Sequence, residues 1–482
     1  MASSPEPHPR IRALNSAAES RAGEYVLYWM VAQRRAHSNF ALDRAVRRAE
    51  TLGKPLVVLE ALRCGYRWAS DRLHAFVIEG MRDNARDFQA RGVRYLHYVE
   101  RESGAGRGLL EALAARAALV VTDDWPCFFV PRMQQAAAAR IGCRVEAVDS
   151  NGLLPLSKSP AAFPTAYAFR RFLQRELRPF LDEFPAPDRL ERAQLPREAA
   201  LPREIESRWS FALPELASLP IDHSVPPTLE RGGSTAARHA LARFVAERLP
   251  RYAEQRSEPE SDAASGLSPW LHFGQLSAHE VFRAVAAREG WTSAALGSSA
   301  AGKKEGWWGM GATSESFLDE LVTWRELGFH LHRHVPDCER YETLPAWARA
   351  TLDLHTSDAR EHVYTLEQFA QASTHDPLWN AAQRQLVREG RIHNYLRMLW
   401  GKKVLEWTAS PREALAVLFE LNNRYALDGR DPNSTSGITW TLGRFDRPWA
   451  PQRAVFGSIR WMSSANTARK LDVKPYLARW RA

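Results

Sequence analysis

The sequence predicts an α/β domain followed by an all-helical domain, in a chain of 482 residues. That length exceeds what one hydrophobic core normally serves, so two large domains are expected. Over the first 150 residues, apolar strand-like runs alternate with segments of helical periodicity, which is typical of a doubly wound parallel sheet. From about Ser234 onward the periodicity is almost wholly helical, and the pattern favours no further strand.

Five strand-plus-helix units are expected in the α/β domain, which is predicted to span 24–150. The predicted strands are EYVLYWM, PLVVLEAL, VRYLHYVE, ALVVTDD and CRVEAVDS. Asn39 is a candidate N-cap of the first helix, because a short amide side chain can accept from the unpaired N–H groups there. The preceding residues 1–23 are expected to be a short disordered lead.

The middle of the chain predicts a connector. Residues 151–233 are rich in Pro, Arg and Glu and have few strong apolar periods. The helical domain is then expected over 234–482. Within it, LGSSAAGKKEGWWGMGATSE (296–315) is Gly- and Ser-rich and is expected to be an exposed loop.

Composition excludes several classes of protein. The apolar content of 45% and charged content of 25% are those of an ordinary globular protein. No apolar run reaches the length of a membrane span, and the N-terminus lacks the apolar region of a secretory signal. The four cysteines form no C-x-x-C pair, which favours reduced thiols and a cytoplasmic protein, nucleoid-associated if bacterial.

Positive charge is concentrated at the C-terminal end of a chain whose net charge is +9. From residue 444 onward, two acidic residues stand against nine basic ones: Arg444, Arg447, Arg453, Arg460, Arg469, Lys470, Lys474, Arg479 and Arg481. The segment is either a solvated face or a surface that follows a phosphate backbone.

Two motifs are misleading. GAGRG (104–108) follows a predicted strand, but its glycine spacing and its position after the third strand do not match a dinucleotide-binding loop. HLHRH places His330, His332 and His334 at alternate positions. Alternate helical residues point about 200° apart, so no metal site is expected.

Trp379, Trp400 and Trp407 are the most informative residues of the helical part. Trp400 and Trp407 are two helical turns apart, so they share one face at an axial separation of about 10 Å. Core packing is the ordinary interpretation of any single tryptophan, and this chain has 17.

The sequence around them favours a different interpretation. THDPLWNAAQ, GRIHNYLRMLWGKK and LNNRYALDGRDPN closely resemble the flavin-binding half of the photolyase/cryptochrome family, in its class II branch. The resemblance extends from about Glu24 to the C-terminus. It implies one FAD in the helical domain and electron conduction through the three tryptophans. In the order it implies, Trp407 lies nearest the surface, Trp400 in the middle and Trp379 nearest the flavin.

The resemblance also implies which residues hold FAD. Ser265, Gly266, Leu267 and Ser268 match the phosphate-binding turn, with hydroxyl and N–H groups before a proline-started helix. Asn422 matches the residue beside flavin N5, and Asp428 is expected to pair with Arg397 next to the ring. The remaining cofactor-binding candidates are Tyr252, Trp324 and Arg430.

Lesion binding is assigned by the same resemblance. Glu320 matches the carboxyl that bonds the damaged pyrimidine, and with Asn422 and Met398 it makes up the predicted catalytic set. The candidates for contacting DNA and the flipped-out dimer are Arg256, Glu320, Met398, Trp440, Trp449 and Arg447. Base flipping costs a few kcal/mol, which aromatic stacking recovers; photolyases are among the known cases.

The chain departs from the class II pattern at three places. Ser257 replaces a common Asn, Leu399 stands where some relatives have a tyrosine that assists electron transfer, and WTLGRFDRPW is one residue short and lacks a histidine. Tyr364 remains.

The leading functional hypothesis is light-driven repair of cyclobutane pyrimidine dimers in double-stranded DNA, a carbon–carbon lyase reaction by a monomer with reduced FAD. The alternative is a cryptochrome-type blue-light photoreceptor using the same FAD and tryptophans. A flavin-free nucleic-acid binder is the third hypothesis, and it leaves LDGRDPN and SGLSP unexplained. An antenna chromophore, deazaflavin or folate, is left undecided by the residues.

Overall fold

The protein forms two compact units in a computed structural model, which describes residues 8–196 and 198–481. The first unit comprises 8–160, 177–242 and 267–287. The second comprises Ala161–Glu176, Arg243–Gly266 and 288–481. Each unit is therefore built from three separate stretches of chain, and the predicted connector contributes to both.

A six-stranded sheet lies at the centre of the first unit, in the order β1-β6-β5-β2-β3-β4. Its strands are β1 Ile11–Ala13, β2 Tyr25–Met30, β3 Leu56–Leu62, β4 Arg94–Val99, β5 Ala117–Asp123 and β6 Arg144–Val148. The pairs among β2 to β6 are parallel, as expected.

The sheet has six strands and not the expected five, because part of the N-terminal segment that was expected to be disordered forms a strand. Ile11–Ala13 pairs antiparallel with the edge strand β6, with Ile11 opposite Val148. A strand of three residues is too short to carry a periodic signal, so these residues were expected to be disordered. The expectation for 1–7 lies outside the described residues.

Alternate residues of β2 enter two different cores. Tyr25, Leu27 and Trp29 pack in one apolar cluster, whereas Val26 and Tyr28 pack in another. A strand buried on both faces reads as a continuous apolar run, which is why EYVLYWM showed no alternation. The doubly wound arrangement is confirmed.

Helices of the first unit cover this sheet or follow it in the chain. They are α1 Phe40–Leu52, α2 Asp71–Gln89, α3 Leu109–Ala114, α4 Val130–Ala138, α6 Arg203–Arg208, α7 Ser234–Arg243, α9 Ser268–His272 and α10 Ala278–Arg288, the last residues of α7 and α10 belonging to the second unit. The predicted cap of α1 is confirmed, because Asn39 accepts from the N–H groups of Ala41 and Leu42.

The described part of the second unit is helical. Its α-helices are α5 Ala166–Glu176, α8 Tyr252–Gln255, α11 Ala312–Leu318, α12 Arg325–His334, α13 Ala346–Leu354, α14 Leu366–Ala370, α15 Pro377–Glu389, α16 Asn394–Glu406, α17 Pro411–Tyr425, α18 Pro432–Thr441, α19 Ser464–Lys470 and α20 Lys474–Arg479. Two wider π-helical turns, Phe244–Arg248 and Asp319–Trp324, adjoin α7 and α12. Such turns are often found at functional sites.

The 296–315 segment is docked, contrary to the expectation of an exposed loop. Trp307 and Trp308 within it are buried. Arg170 on α5 donates from Nη1 to the carbonyl of Gly302 at 3.2 Å. Its glycines and serines resemble those of a solvated loop, but the two indoles supply the apolar area that anchors it.

Two further properties concern the whole described chain. Over 8–196 and 198–481, no helix has the length and apolarity needed to span a bilayer. The four cysteines, Cys64, Cys127, Cys143 and Cys338, are free thiols and buried.

Candidate functional site

Glu320, on the π-helical turn that precedes α12, forms an ion pair with Arg256, which follows α8. The Glu320 carboxylate accepts from Nη1 of Arg256 at 2.6 Å, and both side chains are about one-third exposed. Burial opposes the charge of Arg256, but Glu320 and Tyr252 raise the pKa of the guanidinium. The guanidinium therefore stays charged, and it holds the Glu320 carboxyl group at the surface of the unit.

Tyr252 completes this group. Its hydroxyl accepts from Nη1 of Arg256 at 3.4 Å, and the guanidinium lies 5.5 Å from the centre of its ring. Burial and the Glu320 carboxylate raise the pKa of Tyr252 to about 12. The phenol thus remains a neutral donor. Trp324, at the end of the same π-helical turn, is half-buried.

A second ion pair, which the sequence did not point to, lies directly behind the first. Asp319 is the residue before Glu320. Its carboxylate accepts hydrogen bonds from Nε of Arg170 at 2.7 Å and from Nη2 of Arg170 at 3.1 Å. Both side chains are less than one-tenth exposed. Arg170 fell in a stretch interpreted as a connector, where nothing local marks it as an ion-pair partner. The bidentate pair fixes the backbone that carries Glu320.

The LDGRDPN loop follows α17, and the residues predicted to surround the flavin ring lie on this loop and on the helices next to it. Arg397 on α16 pairs with Asp428, with 3.3 Å between Nη2 and Oδ1, as expected. Asn422 is buried and donates from Nδ2 to Oγ of Ser434 at 2.7 Å. These residues come from two helices and one loop, so the fold brings together what the sequence spaces by up to 31 positions.

Arg430 has a different role from its neighbours. It is buried, its φ is 63°, and its guanidinium donates to the carbonyls of Asn423 at 2.6 Å and Leu427 at 3.4 Å. These bonds cap the end of α17 and hold the loop closed. A direct contact between Arg430 and a cofactor stays a prediction.

The predicted phosphate turn contains an open position between two arginines. Gly266 has φ of 70°, and a Cβ built there would lie 3.8 Å from Nη1 of Arg248 and 3.9 Å from Nη1 of Arg391. Ser265 beside it is half-buried. Leu267 is buried and Ser268 begins α9; both belong to the first unit. Glycine leaves room for a ligand to approach the backbone, and two guanidinium groups would neutralise a diphosphate there.

The three tryptophans form one continuous chain. Trp379 and Trp400 stack with ring centres 6.3 Å apart and planes 5° from parallel. Trp379 and Trp407 meet edge-on at 6.2 Å. The indole N–H of Trp379 donates to the carbonyl of Trp400 at 3.0 Å, and that of Trp400 donates to Oε1 of Gln383 at 2.9 Å.

The predicted order of this chain was wrong. Trp379, on α15, lies between Trp400 and Trp407, which are on α16. Two helical turns separate the α16 tryptophans along one axis, and the indole of the neighbouring helix fills that gap. Trp407 is nevertheless the most exposed of the three, as expected, although only 3% of it is exposed. Tyr364 follows, with its ring 5.8 Å from that of Trp407.

Two of the residues predicted to contact the lesion, Met398 and Trp449, line a cavity of about 510 Å³ together with Arg460. The other four, Arg256, Glu320, Trp440 and Arg447, are not part of its lining. The Arg460 guanidinium lies 4.2 Å from the Trp449 ring centre and 6.0 Å from that of Trp440. Arg447, which is exposed, lies 4.8 Å from Trp449 on the same loop.

Lys402 is the residue of this region that sequence reasoning missed. It is fully buried, its Nζ lies 4.5 Å from the Trp440 ring centre, and it donates to the carbonyl of Thr441 at 2.7 Å. That carbonyl is at the end of α18, where a cation also complements the helix dipole. WGKK gave no sign of burial, because lysine is rarely enclosed.

The two misleading motifs have ordinary roles in the fold. In GAGRG, the N–H groups of Gly104 and Gly106 donate to Oε1 of Glu100, at 2.9 and 3.3 Å. In HLHRH, the ring of His330 packs 5.0 Å from that of Phe169, and burial lowers its pKa to about 3. Occupied amides explain GAGRG, and aromatic packing explains His330 of HLHRH.

The similarity between this chain and known proteins covers almost its whole length. A deoxyribodipyrimidine photo-lyase of Methanothermobacter thermautotrophicus is 34% identical over 473 residues, which is 98% of each chain. Those of Oryza sativa and Potorous tridactylus are 32% and 33% identical, over 97% and 93% of this chain and 90% and 80% of their own. The chain belongs to the photolyase/cryptochrome family.

Solved structures of the photolyase/cryptochrome family share the fold. A class III photolyase from Agrobacterium tumefaciens superposes with a TM-score of 0.67 at 19% identity, over 97% of this chain and 88% of that one. A cryptochrome of Synechocystis gives 0.66 at 16% identity, over 95% and 88%. A scan against protein-family models gives no match.

Family membership implies a flavin, and the second unit has residues that fit one. The open position at Gly266 between Arg248 and Arg391 suits a diphosphate. The Arg397–Asp428 pair suits a ring whose charge changes with its redox state. Neither arginine beside Gly266 was predicted. Arg248 lies outside the matched strings, and Arg391, which lies within one of them, reaches the turn only through tertiary folding.

Proposed function

We propose that the protein is a class II photolyase, which splits cyclobutane pyrimidine dimers in double-stranded DNA by light-driven electron transfer from reduced FAD to a flipped-out dimer. One observation carries the proposal. Within four consecutive positions of α16, 397–400, the chain contributes to the predicted flavin-ring site, to the aromatic cavity and to the tryptophan chain. Arg397 pairs with Asp428, Met398 lines the aromatic cavity, and Trp400 starts the tryptophan chain.

FAD, when bound and reduced, supplies the photochemical electron donor of this reaction. Arg248 and Arg391 would hold its diphosphate, and the amide of Asn422 would hydrogen-bond the edge of its ring. The Arg397–Asp428 pair places a fixed dipole beside that ring. Such preorganised charges need no reorganisation when electrons move.

The lesion would be held by side chains that the fold has already oriented. Arg256 orients the Glu320 carboxyl group, which would accept a hydrogen bond from the damaged base. Trp440 and Trp449 offer ring faces for stacking, worth about 1–3 kcal/mol per base. Arg447, exposed beside Trp449, would contact phosphate oxygens of the bent strand.

The tryptophans would restore the reduced flavin when it has been oxidised. Trp400 is the flavin-side end, because it lies one helical turn from Arg397. Trp379 relays, and Trp407 passes the oxidation on towards Tyr364, which is half-buried. The four rings are close enough for successive short steps.

The experiment that tests this function uses protein purified in the dark. We expect a flavin absorption spectrum, and repair of a dimer-containing oligonucleotide under blue light. Glu320→Gln should keep the flavin spectrum and lower the repair yield, whereas Glu305→Gln, an exposed carboxyl in the 296–315 segment, should leave both unchanged. Flavin binding and photoreduction without any repair would contradict the proposal and favour the photoreceptor alternative.

A further inference from the structure

The 296–315 segment is attached to α5 through its main chain. Gln174 on that helix accepts from the N–H of Gly302 at 2.7 Å and donates from Nε2 to the carbonyl of Lys303 at 2.9 Å. Arg170 adds the bond from Nη1 to the carbonyl of Gly302. Both main-chain groups of this glycine are therefore held by side chains of α5.

The same segment is attached to α11 by a buried carboxyl group. Glu315 on that helix is 1% exposed, and it accepts from the N–H of Met310 at 3.2 Å and from the N–H of Gly306. These two bonds use different oxygens of the carboxyl group. Because buried carboxyl oxygens need hydrogen-bond partners, the segment and α11 fix each other in place.

Asp319 connects these attachments to the lesion side. α11 runs directly into the π-helical turn, which begins at Asp319. Glu315 and Asp319 are four residues apart, so they are neighbours on one helical face. The first binds the segment directly, and the second binds Arg170, which itself holds the segment at the carbonyl of Gly302. The helix that leads into Glu320 is thus anchored twice.

The π-helical turn makes this anchoring important for Glu320. On its far side, α12 is fixed by close packing, since a Cβ at Gly328 would lie 2.7 Å from the carbonyl oxygen of Pro432 and 2.8 Å from Oγ of Ser436. A π-helical turn holds one extra residue, and each helical residue turns the chain by about 100°. Relaxation to an α-helix would therefore rotate α11 and Glu320 by about 100° relative to α12.

We propose that the 296–315 segment is a positioning element of the lesion site, which keeps the π-helical turn in the register that directs Glu320 towards Arg256. Arg170 is the positioning residue through which the segment acts. The inference rests on the proposed function, in which Glu320 bonds the damaged base. The bonds to α5 and α11 use main-chain atoms of the segment, so the exposed side chain of Glu305 takes no part in them.

The test displaces the segment and leaves every charged group of the site in the chain. Gly302 has φ of 74°, and a Cβ there would lie 2.4 Å from Cγ of Arg171 and 3.0 Å from Cε2 of Tyr167, so Gly302→Ala should dislodge it. The matched control is Gly53→Ala, at the end of α1. There φ is 62°, and a Cβ meets no atom of the described residues within 4 Å. Both variants carry alanine at positive φ, but only one disturbs the segment.

Repair is measured on holoprotein with reduced flavin and saturating dimer-containing oligonucleotide. We expect Gly302→Ala to lose as much repair yield as Glu320→Gln and to keep the flavin spectrum of the parent, while Gly53→Ala repairs at the parent yield. Combining Gly302→Ala with Glu320→Gln should cause no further loss, because both act through one carboxyl group. An equal proportional loss from Gly302→Ala in the parent and in Glu320→Gln would overturn the proposal, since the effect would then be independent of Glu320.

Hydrogen exchange of the amides of 319–324, in the same holoproteins kept dark, tests the anchoring without photochemistry. Gly302→Ala should speed this exchange by about 10-fold, as expected when one or two supporting hydrogen bonds are lost, and Gly53→Ala should leave it unchanged. Unchanged exchange in Gly302→Ala would overturn the anchoring and leave the proposed function standing. Failure of the parent protein to repair dimers would overturn the proposed function, and with it the role of the segment in repair.

Discussion

Two groups of tryptophans in the same helical unit are set in opposite electrostatic surroundings. The indoles of Trp379 and Trp400 bond to neutral partners, a backbone carbonyl and the amide of Gln383. In the cradle, the Trp449 ring instead lies against the guanidinium groups of Arg460 and Arg447, and the Trp440 ring lies near that of Arg460 and near Nζ of Lys402.

The two surroundings suit the same residue type to two different roles. A positive charge close to an indole makes removal of an electron more costly, by Coulomb repulsion of the cation that would form. The cradle rings are thus expected to be poorer electron donors than those of the chain, and in the proposed function they stack against bases. At the outer end of the chain, Nζ of Lys403 lies 5.3 Å from the centre of the Trp407 ring. Its charge is compensated by Glu406, whose Oε2 lies 2.6 Å from the same Nζ.

Removal of the central ring of the chain should have the largest effect. Trp379→Phe should abolish light-driven reduction of bound oxidised flavin by an external thiol, because Trp379 is the ring that contacts both others. The matched substitution in the cradle, Trp440→Phe, should photoreduce at the parent rate. Steady-state flavin absorbance under blue light measures both. Equal rates in Trp379→Phe and the parent would mean that the three tryptophans are core packing.

The contribution of the Arg170–Asp319 ion pair to stability can be measured directly. Arg170→Ala leaves Asp319 charged, buried and unpaired, which should lower the free energy of unfolding by about 3 kcal/mol. Arg171→Ala, next to it and exposed, should change it by less than about 0.5 kcal/mol. Urea denaturation measures both, and similar values for the two variants would show that the ion pair does not hold the π-helical turn.

Lys402 makes the cradle sensitive to pH. Burial lowers its pKa to about 7, with Asp446 opposing and Arg460 adding to the shift. An unfolded lysine titrates near 10.4, so unfolding takes up a proton between these values, and stability rises with pH there.

From pH 7 to 9 the parent protein should gain about 2 kcal/mol of stability relative to Lys402→Met, in which the titrating group is absent. Denaturation of both proteins at the two pH values gives the difference. A constant difference would mean that Lys402 keeps an ordinary pKa and that the Trp440 ring faces a permanent cation.

The smallest expected effect concerns Arg460. Arg460→Gln removes the cation shared by the two cradle rings and should weaken binding to dimer-containing DNA by about 1 kcal/mol. The slope of log affinity against log salt should fall by about 1 if this arginine also neutralises a phosphate. Arg388→Gln, an exposed arginine on α15, is the control. Equal losses in the two variants would assign the effect to net charge alone.

What the sequence predicted well depends on local periodicity. The parallel strands, the succession of helices and the Asn39 cap all follow from neighbours within a few positions. The Arg397–Asp428 pair was also predicted, because it was carried by a matched motif and not by local pattern.

What it missed depends on tertiary contacts. The order of the tryptophans was wrong because the i,i+7 spacing on α16 says nothing about an indole entering from α15. Arg170, Arg248 and Lys402 were missed because each acquires its role from a partner far away in sequence. A buried cation in particular contradicts the preference of its residue type, so only the fold reveals it.

In the proposed function, one tryptophan group supplies electrons and the other binds the lesion. This division is tested most directly by repair with protein that is reduced chemically before illumination, with substrate below saturation. Trp379→Phe should then repair dimers at the parent yield, because the repair electron does not use the chain. Trp440→Ala should lose most of its repair while keeping its photoreduction. The reverse pattern, with repair lost in reduced Trp379→Phe and retained in Trp440→Ala, would contradict the account.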